Sequence, residues 1–436
     1  MTKKILLCFC FVQWITQAHA DDLLQIYDLA LQEDPQIHEA EASRNAIQEA
    51  RPQSLARLLP TLAIVGTLNQ NRFDTTNTFT NAQVGVQNFW DSSVYLKLSQ
   101  PIYHHEYWVQ LSQADNQLAQ AEAEYAAEQQ DLFVRTSKAY FGVLSARDNL
   151  EFANSERQAL ERQLQQIKKR FEVGTAAITD LREAQAGYDL SLAGEIAAKR
   201  TLNVAKAALR EIIGKSDIEL NPLREELPLH EPTPAGQKEW SELAQQHNLA
   251  IIAAENRAEI ARKTIDLQFS GHLPTLDLVG NVGIADTDRP AGLVANSQTI
   301  GVQLNVPIFQ GGGTSSRVRQ ARDQFAAAKE NVDKQRRGVD RQVQDAYDGI
   351  GFSISQVHAL GAAVSSSKAA LDAAEAGLRV GTRTMVDVLT TQRNLYRAKR
   401  DFAQARYDYI NNSFLLKQAT GSLSRTDLEA VNAWLH

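Results

Sequence analysis

The feature that most constrains this chain is a short segment that occurs twice inside long helical patterns. The first copy, FEVGTAAITD, covers 171–180, and the second copy, LRVGTRTMVD, covers 378–387. A glycine inside a helix costs about 1 kcal/mol relative to alanine, so each Val-Gly-Thr predicts a break in its helix. The sequence therefore predicts two long helical hairpins with turns at 173–175 and 380–382.

The rest of the chain repeats in the same way. Each half is predicted to run helix, strand, loop, strand, long helix, turn and helix, and such self-similarity defines a repeat architecture. The first repeat covers 21–214 and the second covers 237–421. A proline-rich acidic linker at 215–236 separates them, and a short tail at 422–436 follows. We expect one large repeated unit rather than several unrelated domains.

Each repeat also contains two segments in which apolar and polar residues alternate, which predicts strands with one apolar face. These predicted strands cover about 61–70, 92–101, 274–285 and 298–308. Polar stretches at 69–93 and 285–298 are predicted to be loops that face outside. Strands of about ten residues with this pattern are typical of membrane-spanning β-strands.

Four such strands are too few to close a barrel, since small barrels need about eight. Open strand edges are not tolerated in hydrocarbon, so the strands must be shared among copies. We predict an α+β membrane protein, mostly α-helical, in which a homotrimer closes a β-barrel of about 12 strands. The long coiled-coil helices would form an α-helical tunnel below that barrel.

The beginning of the chain predicts export. Lys3 and Lys4 precede an apolar run, and Ala18-His-Ala20 offers a cleavage site, so 1–20 is predicted to be a signal peptide. The two cysteines of the chain, Cys8 and Cys10, fall within it. The formal net charge of −7 is a poor match to a nucleic-acid partner, and none is expected.

No enzyme site is predicted, because no Ser/His/Asp or Cys/His set has recognisable spacing. The glycines at 311–313 lack the lysine and the spacing of a phosphate-binding loop, so a flexible connection from strand to helix is preferred. His104 and His105 have no accompanying acidic or cysteine cluster, which makes a metal site improbable and favours a junction role. We expect no cofactor and no metal.

Four segments resemble one protein family. They are GHLPTLDL at 271–278, PIFQGGG at 307–313, AYFGVL at 139–144, and above all GLRVGTRTMVDVL at 377–389. With them, nearly the whole chain after the signal peptide is similar to the TolC-type outer-membrane efflux proteins, which are homotrimeric exit ducts. The resemblance implies an outer-membrane protein in contact with lipid, with its helical tunnel in the periplasm.

The resemblance also implies a function. The chain would be the passive exit duct of tripartite efflux pumps, of type I secretion, or of both. An inner-membrane transporter would supply the energy, and a periplasmic adaptor (membrane fusion) protein would couple the two. From the residues alone, the alternative is a periplasmic coiled-coil scaffold or adaptor without a pore, although such a protein has no use for four alternating strands.

In this family the periplasmic end opens when helix pairs untwist, and the resemblance assigns a gate latch. Arg383 would tie one helix pair to its neighbour, with Asp180 as its acidic partner and Thr179 beside it. Leu378 stands where relatives have an aromatic latch residue, so the closed state is expected to be held less firmly.

The resemblance assigns a pore constriction as well. Asp387 would ring the narrowest point, and Thr390 stands where close relatives often have a second aspartate. One acidic ring and weaker cation block are therefore expected. The two turns are expected to dock the adaptor through six residues: Val173, Gly174, Thr175, Val380, Gly381 and Thr382.

Overall fold

A computed structural model describes residues 21–77, 82–216, 218–224, 226–288 and 293–435 of the chain. The predicted signal peptide lies outside the described residues. The described part consists mainly of helices, with one antiparallel sheet, which confirms the predicted fold class.

Ten helices account for most of the described residues. They are α1 (Leu23–Glu33), α2 (Pro35–Gln48), α3 (Ala50–Ala56), α4 (His105–Glu172), α5 (Ile178–Ile213), α6 (Gln237–His247), α7 (Leu249–Phe269), α8 (Gly313–Val380), α9 (Met385–Ala419) and α10 (Arg425–Asn432). A short 3-10 turn, Ser270–His272, follows α7. Both long helices, α4 and α8, end at the predicted turns.

The helix ends follow the local sequence. Asp22 caps α1 by accepting a hydrogen bond from the backbone N–H of Gln25 at 2.8 Å, as expected for an N-cap aspartate. At the other end of the first hairpin, Gly214 ends α5 in the left-handed region with φ of 69°. Its N–H donates to the carbonyl of Arg210 at 2.8 Å, which is a common glycine stop for a helix.

The sheet has four strands in the order β1 (Thr61–Asn77), β2 (Ala82–Tyr103), β3 (Thr275–Thr287) and β4 (Leu293–Asn305). All three pairings are antiparallel, and β2 links the first repeat to β3 of the second. Within the described residues, β1 and β4 each have a single strand neighbour, so each leaves one edge of backbone groups unpaired.

The strand register places apolar side chains on one face of the sheet and polar side chains on the other. Ile64 in β1 and Ile300 in β4 lie on the apolar face, and each is 76% exposed. The polar face carries Lys97, Asn281 and Thr299, which lie side by side on β2, β3 and β4. This separation is the one that the alternating pattern predicts.

The prediction of polar loops at 69–93 and 285–298 is wrong for most of their length. Strands β1 and β2 pair through this polar stretch, and Thr67 and Ser93 join their hydroxyl groups across it at 2.7 Å. Asn71 likewise donates to Asp91 at 2.6 Å. Polar side chains that hydrogen-bond to each other across the two strands stabilise the continued strand pairing, although their composition is typical of a loop. In the second repeat, β4 begins at Leu293 and ends at Asn305, both earlier than predicted.

Compact packing divides the chain into two units, and neither unit coincides with one repeat. The first contains Met1–Pro35, Gln129–Trp240 and Gln342–His436, and the second contains Gln36–Glu128 and Ser241–Arg341. Each unit thus takes segments from both repeats.

In the first unit, aromatic residues of α4 and α9 form the core. Tyr140 and Phe141 of α4 are almost fully buried, and the ring of Tyr407 stacks on Phe141 with centroids 5.6 Å apart. The Tyr407 hydroxyl donates to Asp148 at 2.6 Å. Burial raises the pKa values of both Tyr407 and Asp148. The predicted linker belongs to this unit, where Tyr140 donates to the carbonyl of Asn221 at 2.9 Å.

In the second unit, His104 lies where β2 gives way to α4. Its Nε2 atom lies 3.0 Å from Asp277 of β3, and its ring stacks on Tyr107 with centroids 4.6 Å apart. No cluster of metal-ligating side chains occurs among the described residues. Through its contacts with Asp277 and Tyr107, His104 joins helix to sheet, in agreement with the junction role that the sequence favours.

Over the described ranges, no helix has the length and apolar character needed to cross a membrane.

Candidate functional site at the two helical turns

The first turn closes α4 with a glycine in the left-handed region. Gly174 has φ of 78°, and its N–H donates to the carbonyl of Phe171 at 2.9 Å. Thr175 then places both its N–H and its hydroxyl on the carbonyl of Arg170, at 2.7 and 3.0 Å. These bonds satisfy carbonyls that the last turn of a helix otherwise leaves unpaired.

The second turn has nearly the same geometry. Gly381 has φ of 80°, and the N–H and hydroxyl of Thr382 both donate to the carbonyl of Gly377, at 2.9 and 3.3 Å. Val173 and Val380 precede the two glycines and are 74% and 75% exposed. The repeated Val-Gly-Thr thus builds two equivalent turns, each with one exposed valine.

The helices that follow the turns are capped differently. At the start of α9, the hydroxyl of Thr384 accepts from the N–H of Asp387 at 3.2 Å. The Asp387 carboxylate accepts in return from the N–H of Thr384 at 2.9 Å, so both halves of a capping box are made. At the start of α5, Asp180 accepts from the N–H of Ala177 at 3.3 Å. Ala177 has no hydroxyl to return the bond.

The cap also governs the charge of Asp387. Hydrogen bonds from the backbone and hydroxyl of Thr384 lower the pKa of Asp387, and the positive charge of Arg383 lowers it further. The carboxylate is therefore ionised at neutral pH. An ionised aspartate near the start of a helix also interacts favourably with the helix dipole.

A small apolar cluster holds the two hairpins together behind the turns. Leu160 and Leu164 of α4 pack with Met385 and Leu389 of α9, and all four are buried. Leu378 is half-buried against the same cluster. Leu378, which stands where relatives have an aromatic latch residue, thus contributes apolar packing at the end of α8.

Arg383 lies at the exposed surface of the second turn, and its side chain covers Gly377. A Cβ atom added to Gly377 would lie 2.6 Å from Cγ of Arg383, so a larger residue there would displace the arginine. Within one chain, Arg383 and Asp180 form no ion pair in the part that the structure describes. The structure therefore does not bring the two predicted latch residues together inside one copy.

The remaining predicted residues lie nearby on the same helices. Thr179 is exposed in the first turn of α5, and Thr390 is exposed in the second turn of α9. Thr390 contributes to the wall of a groove between α4, α5 and α9. The same wall contains Arg393 and Arg397, which sequence reasoning missed because the residues of α4 and α5 that complete the groove are far away in the sequence. The Thr384–Asp387 cap was also missed, although Thr-x-x-Asp before a helix signals it.

Comparisons with known proteins agree with this architecture. The family model described as "Outer membrane efflux protein" matches residues 26–215 and 240–422. The outer membrane protein TolC of Vibrio cholerae is 41% identical over 421 residues, which cover 95% of this chain and 94% of that protein. The alkaline protease secretion protein AprF of Pseudomonas aeruginosa is 28% identical, covering 99% of this chain and 92% of AprF.

Among solved structures, the CmeC outer membrane channel of Campylobacter jejuni has a similar fold. The TM-score is 0.81 at 17% identity, with 96% of this chain and 90% of that chain covered.

The difference between the two caps can be tested by exchanging their residues. Thr384→Ala removes a donor and an acceptor from the second turn, so amide hydrogen exchange at 385–388 should become roughly fivefold faster. Ala177→Thr supplies the missing hydroxyl to the first turn, and exchange at 178–181 should slow. The pKa of Asp387, followed by carbon-detected NMR, should rise in Thr384→Ala. Unchanged exchange in both variants would show that these caps do not control the turns.

Proposed function

The chain belongs to the outer membrane efflux protein family and is an exit duct of the outer membrane, and we propose that three copies build this duct and close it at the two helical turns. The observation that carries the proposal is the four-stranded sheet, with one apolar face, one polar face and two edges that have no strand neighbour among the described residues. An apolar outer face suits lipid, and a polar inner face suits a water-filled duct. Because unpaired backbone groups are not tolerated in hydrocarbon, β1 and β4 need strand neighbours from other copies.

The internal repeat offers a template for that pairing. The segment Leu59–Gly66 reads LPTLAIVG and the segment 273–280 reads LPTLDLVG, so β1 and β3 are equivalent. In the same way VYLKLSQPIY at 94–103 is equivalent to IGVQLNVPIF at 300–309, so the end of β2 corresponds to β4. The seam between β2 and β3 inside one chain therefore predicts the seam between β4 of one copy and β1 of the next.

The template fixes a register. Within the chain, Leu98 pairs with Gly280 and Ser99 with Val279. The equivalent pairs between copies are Leu304 with Gly66 and Asn305 with Val65. This register keeps apolar residues on one face and polar residues on the other across the seam, which a slip by one residue would not.

The gate follows from the same arrangement. Since Arg383 and Asp180 do not meet in one chain, we propose that Arg383 of one copy reaches Asp180 of its neighbour, where an arginine and a carboxylate make a directional pair. Three ionised Asp387 side chains would then form the single acidic ring. The duct serves efflux or secretion, and the adaptor and inner-membrane transporter remain partners predicted by the resemblance. The exposed valines at 173 and 380 suit the predicted docking surface.

Cysteine cross-linking tests the assembly. Asn305→Cys with Val65→Cys, and Leu304→Cys with Gly66→Cys, should each give a covalent ladder up to the trimer on oxidation, because directly opposed residues in an antiparallel pair have Cα atoms about 4.5–5.5 Å apart. Both pairs are needed, since hydrogen-bonded and non-hydrogen-bonded sites alternate. No cysteine of the sequence lies beyond Cys10, which keeps the background low.

The matched control for this experiment is Asn305→Cys with Asn69→Cys. Asn69 shares the polar face with Val65 but lies four positions along β1, which is roughly 13 Å away. Cross-linking of the control in place of the two designed pairs would reject the register. Monomers from all three variants would reject the closed sheet.

The acidic ring is tested by cation block in a planar bilayer. Asp387→Asn removes the three charges from the constriction, so the concentration of a divalent cation that halves the current should rise about tenfold. Glu172→Gln, at the exposed end of α4, changes one charge per chain outside the proposed ring and should leave block unchanged. Equal block of wild type and Asp387→Asn would place the ring elsewhere.

A further inference from the structure

A groove of about 510 Å³ lies between α4, α5 and α9 in the first unit. Small residues of α5 contribute to its lining, among them Ser191, Gly194 and Ala198. Bulkier side chains of α4 and α9 complete the lining, and the volume is sufficient for a small organic molecule.

The wall on α9 is cationic. Arg393, Arg397 and Arg400 line the groove at helical spacings of four and three positions, which places them on one side of α9. Arg400 is paired with Asp401 at 3.0 Å. Arg393 and Arg397 form no ion pair within the described residues, so both guanidinium groups keep donors for another partner.

A single acidic side chain, Glu156 of α4, lines the groove among the described residues. Its burial raises its pKa, although the charges of Arg393 and Arg400 act in the opposite direction. Even with Glu156 ionised, the guanidinium groups of Arg393 and Arg397 outnumber the one carboxylate in the lining. The groove therefore has an excess of positive charge.

Part of the remaining lining is apolar. Phe152 and Ala153 of α4 line the groove together with Leu190 of α5, and Leu190 is 64% exposed. An exposed leucine beside a phenylalanine and two unpaired arginines suits a molecule with a hydrophobic body and an anionic head.

We propose that this groove is a binding site for amphiphilic organic anions, in which Arg393 and Arg397 hold a carboxylate or sulfonate group and Phe152 and Leu190 contact the hydrophobic body. Guanidinium groups bind such oxyanions with paired, charge-assisted hydrogen bonds. The proposal rests on the proposed function in one respect, since the groove meets transported molecules only if α9 lines the duct.

The position of the groove on α9 supports a place along the exit path. Thr390 lines the groove, and Arg397 follows it by one heptad, so the two residues occupy equivalent places on a coiled-coil helix. Asn394 follows Asp387 by the same spacing. A molecule that passed the acidic ring would meet Arg397 about 15 Å farther along α9. An anion held there would be drawn past the negative charge of Asp387.

Isothermal titration calorimetry tests the site with the full chain in lipid nanodiscs and 1-naphthalenesulfonate as the probe. We expect Arg393→Gln with Arg397→Gln to weaken binding at least about tenfold. Glu156→Gln removes the opposing charge and should strengthen binding about threefold. Two substitutions in one groove that act in opposite directions exclude general misfolding as the cause.

The matched control is Arg319→Gln, which removes an exposed arginine of α8 outside the groove and should bind the sulfonate as the wild type does. Naphthalene-1-methanol, the uncharged counterpart of the probe, should bind at least tenfold more weakly than the sulfonate. Equal affinity of wild type and the double arginine variant would overturn the proposal, as would equal affinity for the two probes.

Bilayer recordings of the same proteins separate this proposal from the proposed function. If the chain binds the sulfonate through Arg393 and Arg397 but forms no pore, the anion site stands and the duct fails. If it conducts normally but its sulfonate affinity is unaffected by the arginine substitutions, the duct stands and the site is rejected.

Discussion

The unpaired backbone edges of β1 and β4 are the constraint on which the rest of the structure depends. A sheet with an apolar face cannot expose free N–H and C=O groups to lipid, because each such group costs several kcal/mol in hydrocarbon. The chain supplies four strands, and in the proposed assembly other copies close the sheet. The proposed duct follows from that closure.

The junction between sheet and helix differs between the two repeats. In the first, His104 contacts Asp277 and stacks on Tyr107, which fixes the start of α4. In the second, Gln310 takes the place of the histidine, and Gly311 and Gly312 follow with positive φ. By the repeat template, the counterpart of Asp277 in the proposed trimer is Ala63 of the next copy, whose methyl group cannot make a polar contact. The junction inside one chain is thus anchored by a polar contact that the proposed junction between copies lacks.

The two turns differ in a comparable way. Both use glycine and threonine to end a long helix, but Thr384 completes the cap of α9 while Ala177 leaves that of α5 half made. The complete cap holds the Asp387 carboxylate at the start of α9 and keeps it ionised. The proposed ring requires a fixed, charged aspartate, because in that ring three copies would bring like charges together.

Much of this architecture was predictable from the sequence, since the helical pattern and the repeated Val-Gly-Thr fix both hairpins and their turns. The lengths of the strands were not predictable from the sequence. Parts of β1 and β2 are rich in asparagine and threonine, a composition typical of loops, and only their cross-strand partners identify them as strands. The groove around Arg397 was also beyond reach. Arg397, Glu156 and Leu190 come from three helices, and sequence spacing does not reveal which of their faces meet.

The most direct measurement is single-channel conductance in a planar bilayer for the wild type and Arg383→Ala, with Arg379→Ala as control. Arg379 is also exposed at the end of α8, but it has no assigned part in the latch. The account predicts a small, stable wild-type conductance, a severalfold larger one in Arg383→Ala, and no change in Arg379→Ala. A conducting pore that is unaffected by Arg383→Ala would remove the latch from the gate. Failure of the wild-type chain to form any pore would contradict the account as a whole.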